Sequence, residues 1–400
     1  MSGRWLSIIG IGEDGLDGLS PAASRLLAQA RFIVGGARHL ALLPDSGPER
    51  MAWPSPFEAG IEAVVARRGE AVCVLASGDP FLYGVGSVLS ARVPVEEMIC
   101  LPAPSSLSLA AARLGWALQE CEIVSLHGRP FERIVPHLRP GSKLLVLSWD
   151  AATPEKLARC LTARGLGAAR LVLLEALGGP REAISECRAE DFRRDCVGDL
   201  NLIAIEIGEA PLAPYIPLTP GLPDDWFESD GQITKREIRA LTLSALAPWP
   251  GACLWDIGAG SGSVAIEWML AHPRNRALAI EVRPERAERI TRNAATLGVP
   301  DLVVLIGKAP DLLADLPAPD AIFVGGGGAE VIDAAWDLLP VGRRLVVNGV
   351  TLETQQSLIE RQARLGGDLL SIGIARAESL GAYRGWRPSM PIIQWRVVKP

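Results

Sequence analysis

The chain has 400 residues, of which 48% are hydrophobic and 22% are charged, and its net charge is −6. This length predicts two or three domains that each bury a core, and the negative charge argues against a nucleic-acid partner. No apolar run is long enough to span a membrane, and the N-terminus lacks the layout of a signal peptide. We therefore expect a cytoplasmic protein without a membrane partner.

Seven cysteines occur at scattered spacings without a C-x-x-C pair. This pattern predicts reduced thiols in a reducing compartment, and neither a metal site nor a disulfide framework. Thirty-five of the 40 basic residues are arginine. Genome composition is the simpler explanation, and the functional alternative is a substrate with many carboxylates, which guanidinium groups bind well.

The first predicted strand, residues 6–9, leads into a glycine-rich loop that begins with Gly10 and Gly12. The loop matches G-x-G-x-x-G, but the next helix starts late, at Ser20 and Pro21, and no carboxylate lies about twenty residues on. A dinucleotide site is therefore not predicted, although the glycines allow close approach to another ligand.

Six further strands are predicted in this half, at residues 71–76, 97–101, 121–126, 143–148, 171–177 and 200–207. They alternate with helices, which predicts an α/β fold. The turn at 102–106 is predicted to cap a helix that runs to about residue 114.

Three strand-end motifs add to the Gly10–Gly12 loop: residues 77–80 (Ser-Gly-Asp-Pro), the turn at 102–106, and residues 126–129 (Leu-His-Gly-Arg). Their order resembles that in the tetrapyrrole (corrin/porphyrin) methylases, which bind S-adenosyl-L-methionine (SAM) between two α/β lobes. The resemblance implies a two-lobed fold and these cofactor-binding residues: Gly10, Gly12, Gly78, Asp79, Pro80, Ser105 and Ser106. There are two departures, because Glu13 and Asp14 replace the usual Pro-Gly and Ala103 stands where many members have glycine.

Residues 209–223 contain five prolines, which neither a regular helix nor a central strand tolerates. We interpret residues 210–223 as a linker between a first domain at 1–209 and a second at 224–400. The second domain is predicted to open with a helix that runs to about residue 246 and is capped by Thr234 and Glu237.

A strand at 253–257, a glycine turn at 258–262 and an apolar helix follow. The next strand, 277–280, ends at Glu281, where a carboxylate can accept both ribose hydroxyls of an adenosine ligand. Strands at 302–306, 320–324, 344–348, 368–375 and 392–398 complete seven, with the last two paired as a hairpin. An ordinary strand-to-helix turn is the alternative interpretation of the glycine turn.

The glycine turn and its acid resemble the class I SAM methyltransferases, which implies a Rossmann-like seven-stranded fold. The cofactor-binding residues implied are Thr234, Asp256, Gly258, Ala259, Gly260, Ser261, Gly262, Glu281 and Ala309. Lys308 is a departure, since an acid is common there and lysine accepts no hydrogen bond.

The pairing of these two halves resembles the precorrin-6Y C5,15-methyltransferase (decarboxylating) or CobL family, with a CbiE-like half followed by a CbiT-like half. The resemblance implies two SAM sites and conversion of precorrin-6B to precorrin-8, by methylation at C5 and C15 with loss of the C12 acetate carboxyl, in cobalamin biosynthesis. We expect a small tetrapyrrole substrate and a homo-oligomer.

Gly325 and Gly326 begin a four-glycine loop with room for a flat ring, where class I base methylases carry an Asn/Asp-Pro-Pro-aromatic tetrad. Arg384 and Arg387 either bind substrate carboxylates or lie in a solvated loop. His127 and Asp79 are candidates for a general base, with backbone anchoring as the alternative. An RNA methyltransferase and a SAM sensor without catalysis are the rival functions, and the net charge and missing tetrad disfavour the first.

Overall fold

The computed structural model describes residues 3–194, 196–209 and 213–400. These residues form two units, one of Met1–Arg129 with Pro140–Pro214 and one of Pro130–Arg139 with Tyr215–Pro400. Residues 1–2 and 195 of the predicted first domain, and 210–212 of the predicted linker, lie outside the described residues. None of the described helices is long and apolar enough to cross a membrane.

The first sheet of unit 1 is parallel throughout and has the order β3-β2-β4-β1-β5 among the described residues. Its strands are β1 (Leu6–Ile11), β2 (Phe32–Gly35), β3 (Glu49–Ala52), β4 (Val72–Ser77) and β5 (Met98–Leu101). The helices of this part are α1 (Pro21–Gln29), α2 (Ala37–Leu40), α3 (Phe57–Ala66), α4 (Val85–Leu89) and α5 (Ser106–Leu114). Strands β1 and β4 are largely apolar, as expected where separate apolar clusters pack on the two faces of the sheet.

The second sheet of unit 1 is mixed and has the order β6-β7-β10-β8-β9, with only β6 and β7 parallel among its described pairs. Its elements are β6 (Glu122–Ser125), β7 (Lys143–Leu147), α6 (Thr153–Ala163), β8 (Arg170–Glu175), β9 (Ala183–Arg188) and β10 (Asn201–Glu206). Two sheets with separate cores confirm the two-lobed prediction for this half. The sequence did not predict the short strands β2 and β3 or the largely exposed strand β9.

Unit 2 is built on a seven-stranded sheet of order β13-β12-β11-β14-β15-β19-β16 in its described residues. Its strands are β11 (Cys253–Ile257), β12 (Arg276–Glu281), β13 (Val303–Ile306), β14 (Ala321–Val324), β15 (Arg344–Gly349), β16 (Asp368–Ile372) and β19 (Ile392–Val398). Its helices are α7 (Arg236–Leu246), α8 (Ser263–Leu270), α9 (Pro284–Thr296), α10 (Ala309–Leu313), α11 (Ala329–Leu338) and α12 (Leu352–Leu365). The Rossmann-like prediction is confirmed, including the antiparallel pairing of the last two predicted strands.

Two local predictions for unit 2 are wrong. Helix α7 is preceded by Lys235 as its N-cap, which makes no side-chain capping bond, so the predicted capping box is not formed. Glu237 instead binds Arg376 at 2.5 Å, and the Thr234 carbonyl accepts from Arg239. The predicted strand 368–375 ends earlier, at Ile372, and a separate two-stranded sheet, β17 (Ala375–Leu380) with β18 (Tyr383–Pro388), follows it, so the last two predicted strands pair but do not form a hairpin.

The proline-rich segment packs on unit 2 more closely than a free linker would. Ile216 and Leu222 are buried, and the Gly221 and Leu222 N–H groups donate to Glu267 at 2.6 and 2.9 Å. Glu267 in turn accepts from the fully buried Arg239 at 2.6 Å. A buried ion pair in the helix layer therefore holds residues 221–222 to this unit, and the domain bounds of the sequence analysis stay a prediction.

We predict that Glu267→Ala destabilises the protein by about 3–5 kcal/mol, since it removes the buried carboxylate of Arg239, leaves only the partly exposed Asp224 to pair with it, and deprives two buried N–H groups of their acceptor. Urea unfolding of the full chain, followed by tryptophan fluorescence, measures this change. Glu288→Ala is the control, because that carboxylate is 75% exposed on α9 and its loss should change stability by no more than about 0.5 kcal/mol. Equal effects of the two variants would contradict the prediction.

Candidate functional site

The glycine turn of unit 2 follows β11 at the point where the strand order reverses, between β12 and β14. Open α/β sheets bind ligands in the crevice at this position. The N–H groups of Gly258 and Ala259 donate to the Ile280 carbonyl at 3.0 and 3.2 Å. Gly258 has φ +72°, and a Cβ there would lie 2.9 Å from the Gly326 nitrogen. The structure thus brings the predicted cofactor turn and the predicted substrate loop together.

Glu281 lies at the end of β12 with its carboxylate turned to the glycine turn. One oxygen accepts from the Gly260 N–H at 2.9 Å and the other from the Arg283 N–H at 3.1 Å. Each carboxylate oxygen has a further lone pair for a ligand hydroxyl. The sequence predicted the ribose role but missed that Glu281 also fixes the turn.

Two buried polar atoms beside the turn have no hydrogen-bond partner among the described residues: Asp256 Oδ1 and Ser261 Oγ. The other Asp256 oxygen accepts from the Ala265 N–H at 3.0 Å, within the first turn of α8. Burial raises the pKa of Asp256 to about 7, and the nearby Glu281 charge adds to the rise. Buried polar atoms normally have a hydrogen-bond partner. The free oxygens of Asp256 and Ser261 therefore fit a ligand with cationic and hydroxyl groups, as SAM has.

An irregular segment, residues 228–234 (the arm), contacts the glycine turn. Asn293 is buried on α9 and binds both the Glu228 backbone and the Ser261 carbonyl, at 2.8–3.0 Å. A Cβ on Gly260 would lie 3.1 Å from the Gln232 carbonyl oxygen. No sequence pattern pointed to Asn293, because its partners are 32 and 65 residues away in the chain.

The remaining predicted residues of unit 2 are spread over three places. Thr234 is half-buried at the end of the arm, and Ala309 is buried as the first residue of α10. Arg384 and Arg387 lie on β18, and Arg387 pairs with Glu378 at 3.0 Å. The two arginines belong to the separate two-stranded sheet, so the structure does not join them to the glycine turn.

Unit 1 contains a cavity of about 1120 Å³ between its two sheets. Predicted residues that line it are Gly12, Gly78, Asp79, Ser105, Ser106 and His127. Gly10 and Pro80 are not among the lining residues, and a Cβ on Gly10 would come within 2.0 Å of the Gly78 oxygen. Gly10 therefore permits the strand-end loops to pack closely, and in this way it supports the shape of the site.

The predicted polar residues of this cavity make local contacts. Ser105 caps α5, because its hydroxyl accepts from the Ser108 N–H at 3.1 Å. Asp79 accepts from the Phe81 N–H at 2.9 Å, which is the anchoring role given as its alternative. His127 is exposed, with its ring 6.2 Å from that of Trp149. The base role stays a prediction for both Asp79 and His127.

Aromatic side chains that the sequence reasoning did not single out also line the cavity. Phe81, Tyr83 and Trp149 are about half exposed there. Tyr83 has φ +53°, an unfavourable conformation for this residue, and the Arg129 guanidinium lies 5.0 Å from its ring centroid. Flat ring faces next to a guanidinium suit a planar ligand that carries acidic groups.

Comparison with known proteins bears on both units. Residues 6–193 match the Tetrapyrrole (Corrin/Porphyrin) Methylases family, and residues 225–399 match the Precorrin methyltransferase domain family. The chain is 53% identical over 399 residues to the precorrin-6Y C(5,15)-methyltransferase (decarboxylating) of Sinorhizobium sp, across 99% of this chain and 96% of that protein. The chain belongs to the precorrin-6Y C(5,15)-methyltransferase (decarboxylating) family. This membership confirms the predicted family.

Two shorter relatives each match less than half of the chain. A probable cobalt-precorrin-6B C(15)-methyltransferase (decarboxylating) of Pyrobaculum calidifontis is 41% identical over 179 residues, across 42% of this chain and 90% of that protein. A cobalt-precorrin-7 C(5)-methyltransferase of Salmonella typhimurium is 33% identical over 181 residues, across 45% of this chain and 88% of that protein. The two activities in the family name therefore also occur in separate proteins.

Asp256 gives a pH-dependent prediction. Because its folded-state pKa of about 7 lies above the ordinary value of 3.8, the folded protein holds more protons than the unfolded chain between about pH 4 and pH 7. Asp256 therefore makes stability fall as pH rises through this window, by at most about 1.4 kcal/mol per pH unit, and the fall ends above pH 7.

Asp256→Asn should remove this fall, so the variant gains stability relative to the parent between pH 5 and pH 8 in urea unfolding. Asp315→Asn, at an exposed aspartate of the same unit, is the control and should follow the parent at both pH values. A parent-like pH dependence in Asp256→Asn would contradict the assignment.

Proposed function

We propose that this protein converts precorrin-6B to precorrin-8 in cobalamin biosynthesis, by SAM-dependent methylation at C5 and C15 with decarboxylation of the C12 acetate. The observation that carries the proposal is the 53% identity, across the whole chain, to a relative that bears both activities in its name. Mass spectrometry of the product from precorrin-6B tests it, because two methyl groups should be gained and one carbon dioxide lost.

The two units divide this work, with one SAM site in each. Unit 2 methylates C15 and decarboxylates, and unit 1 methylates C5. Two observations support this division: each unit has its own glycine loop at a strand end, and relatives of about half this length are named for one activity each.

SAM supplies an activated methyl group when bound, and the protein must align the substrate carbon for in-line attack. In unit 2, Glu281 and Asp256 hold the cofactor beside the glycine turn, which is supported by the Gly260 N–H bond to Glu281 and by the unpartnered Asp256 Oδ1. An added Cβ on Gly326 or Gly328 would meet nothing within 4 Å, so this loop leaves open space for a flat ring. In unit 1, the cavity slightly exceeds the roughly 300–1,000 Å³ typical for one small ligand, which favours cofactor and substrate together.

The macrocycle accepts the electron pair that decarboxylation releases, so the protein needs to orient the acetate arm in unit 2. Substrate binding by Gly325 and Gly326 is supported by their contact with the cofactor turn. Substrate binding by Arg384 and Arg387 rests on their charge alone.

We place the protein in the cytoplasm without a nucleic-acid partner. None of the seven cysteines, all of which are among the described residues, forms a disulfide, which suits a reducing compartment, and the net charge of −6 disfavours binding to phosphates. A filter-binding assay with RNA separates this proposal from the RNA methyltransferase alternative, which requires retention of the RNA.

A homo-oligomer formed through the β17–β18 sheet is part of the proposal. Leu380, Tyr383 and Trp386 are 70–80% exposed there, and in the described residues β17 and β18 pair with each other alone. Exposed apolar side chains beside open strand edges are typical of an association surface.

We predict that light scattering of the full chain gives a multiple of the 42.6 kDa chain mass, and that Tyr383→Ser combined with Trp386→Ser lowers it. Leu218→Ser, at a residue that is 83% exposed elsewhere in unit 2, is the control and should keep the parental mass. A monomeric parent chain would refute the prediction.

The division of labour gives a further prediction at Gly260. This residue has φ +61° and approaches the Gln232 carbonyl, so an arginine there fills the space beside the cofactor turn. Gly260→Arg should abolish C15 methylation and decarboxylation while the SAM site of unit 1 still fills. NMR of the product from methyl-labelled SAM reports the first effect, and calorimetry should give two SAM sites for the parent and one for the variant.

Gly373→Arg is the matched control, because an added Cβ at Gly373 would meet nothing within 4 Å. It should retain both activities and both sites. Continued C15 methylation by Gly260→Arg would show that the chemistry belongs to the other unit.

A further inference from the structure

Arg38 is a guanidinium on the cavity wall of unit 1 that the sequence reasoning did not single out. It lies on α2, directly after β2, and its side chain is 38% exposed, so one part of it is fixed and another part faces the cavity. The other charged residues that line this cavity are Glu13, Asp79, Arg129 and Asp199.

Three neighbours hold the Arg38 guanidinium. Its Nη1 forms an ion pair with Glu13, and its Nη2 lies 3.1 Å from Ser77 Oγ and 3.1 Å from His39 Nε2. Burial, with the adjacent Arg38 charge, lowers the pKa of His39 to about 4, so its ring is neutral at physiological pH and can accept from Arg38. The guanidinium is therefore oriented before any ligand arrives.

Glu13 is held as tightly as the guanidinium that it binds. Its side chain is 12% exposed, and a Cβ on Gly179 would come within 2.4 Å of the Glu13 Cβ. Gly179 follows β8 in the second sheet, while Arg38 follows β2 in the first. Glu13, one of the two residues that depart from the usual Pro-Gly, therefore lies where the loops of both sheets meet at the cavity.

The charges of this cluster do not balance. Glu13 also binds Arg181 at 3.3 Å, so in the described ion pairs the guanidinium groups of Arg38 and Arg181 share one carboxylate. Neutral His39 adds no charge. Burial, followed by the charge of Arg181, lowers the pKa of Arg38. One negative charge placed at the cavity wall would complete the cluster.

We propose that Arg38 binds a side-chain carboxylate of the tetrapyrrole substrate in the cavity of unit 1, and that Glu13 and Ser77 are positioning residues for its guanidinium. The proposal rests on the proposed C5 methylation by this unit. The substrate carries acetate arms, and a pre-oriented guanidinium whose remaining N–H donors are free of these neighbours forms charge-assisted hydrogen bonds to a carboxylate with little loss of side-chain freedom. The methionine carboxylate of SAM has the same chemistry, so the experiment must separate these two sources.

The experiment uses the full chain and measures C5 methylation kinetics, C15 methylation with decarboxylation, and SAM binding by calorimetry. Arg38→Gln should raise the KM for C5 methylation by about 10- to 100-fold, as expected for a lost hydrogen bond to a charged group, with kcat changed less than about threefold. SAM affinity at both sites and the C15 reaction should not change. Arg38→Lys, which keeps the charge but loses the planar fork, should raise KM less.

Arg159→Gln is the charge-matched control, because Arg159 is 77% exposed on α6 and pairs only with Glu155 in the described ion pairs. It should behave as the parent. A substrate with its side chains converted to methyl esters gives a second readout: parent and Arg38→Gln should then have the same KM, since the interacting carboxylate is absent.

An unchanged KM for Arg38→Gln would overturn the proposal, and so would an effect confined to kcat. Weakened SAM binding at the unit 1 site with unchanged KM would overturn it as well, and would assign Arg38 to the cofactor carboxylate. If Arg38→Gln fails to fold, as judged by loss of SAM binding at both sites, Arg38→Lys decides by the same criteria. A parent chain that makes no C5-methylated product would instead refute the proposed function.

Discussion

The buried ion pair of Arg239 and Glu267 determines how the second unit is put together. Arg239 is fully buried, and its guanidinium also binds Asp224 and the Thr234 carbonyl, while Glu267 accepts from two backbone N–H groups of the proline-rich segment. Such a pair is costly to desolvate and is stable only when all its hydrogen bonds are made. Among the partners of Arg239, Asp224 precedes the arm in the chain and Thr234 ends it, and the arm contacts the glycine turn. The stability of unit 2 and the geometry of its candidate site therefore depend on the same contacts.

A second constraint is the close approach of strand-end loops, which acts in the same way in two unrelated folds. Gly10 faces the Gly78 carbonyl in unit 1, and Gly258 faces Gly326 in unit 2. In each case any side chain would push a ligand-facing loop away from its neighbour. Glycine is therefore required at Gly10 and Gly258 because no side chain fits between the two loops. Gly78 and Gly258 also adopt positive φ values, which favour glycine.

The two candidate sites differ in their electrostatics. Buried carboxylates, Asp256 and Glu281, surround the turn of unit 2, where a ligand with hydroxyl and cationic groups is favoured. The cavity of unit 1 is lined by both signs of charge, with Arg38 and Arg129 beside aromatic faces and the carboxylates of Glu13, Asp79 and Asp199. The first arrangement suits a cofactor with a cationic group, and the guanidinium and aromatic groups of the second suit an acidic planar ligand.

By itself the sequence determined the α/β class of both halves, the positions of the long buried strands along the chain, and the glycine turn with Glu281. It could do so because periodicity and motif spacing are local properties of the chain. Tertiary structure alone decided the rest. The ion pair of Arg181 with Glu13 spans 168 residues, and the contact of Asn293 with Glu228 spans 65. Strands β2, β3 and β9 are too short or too exposed for a clear pattern, and the packing of Leu222 depends on a carboxylate 45 residues away. Contacts between residues so far apart are set by how the elements pack, and no local pattern encodes them.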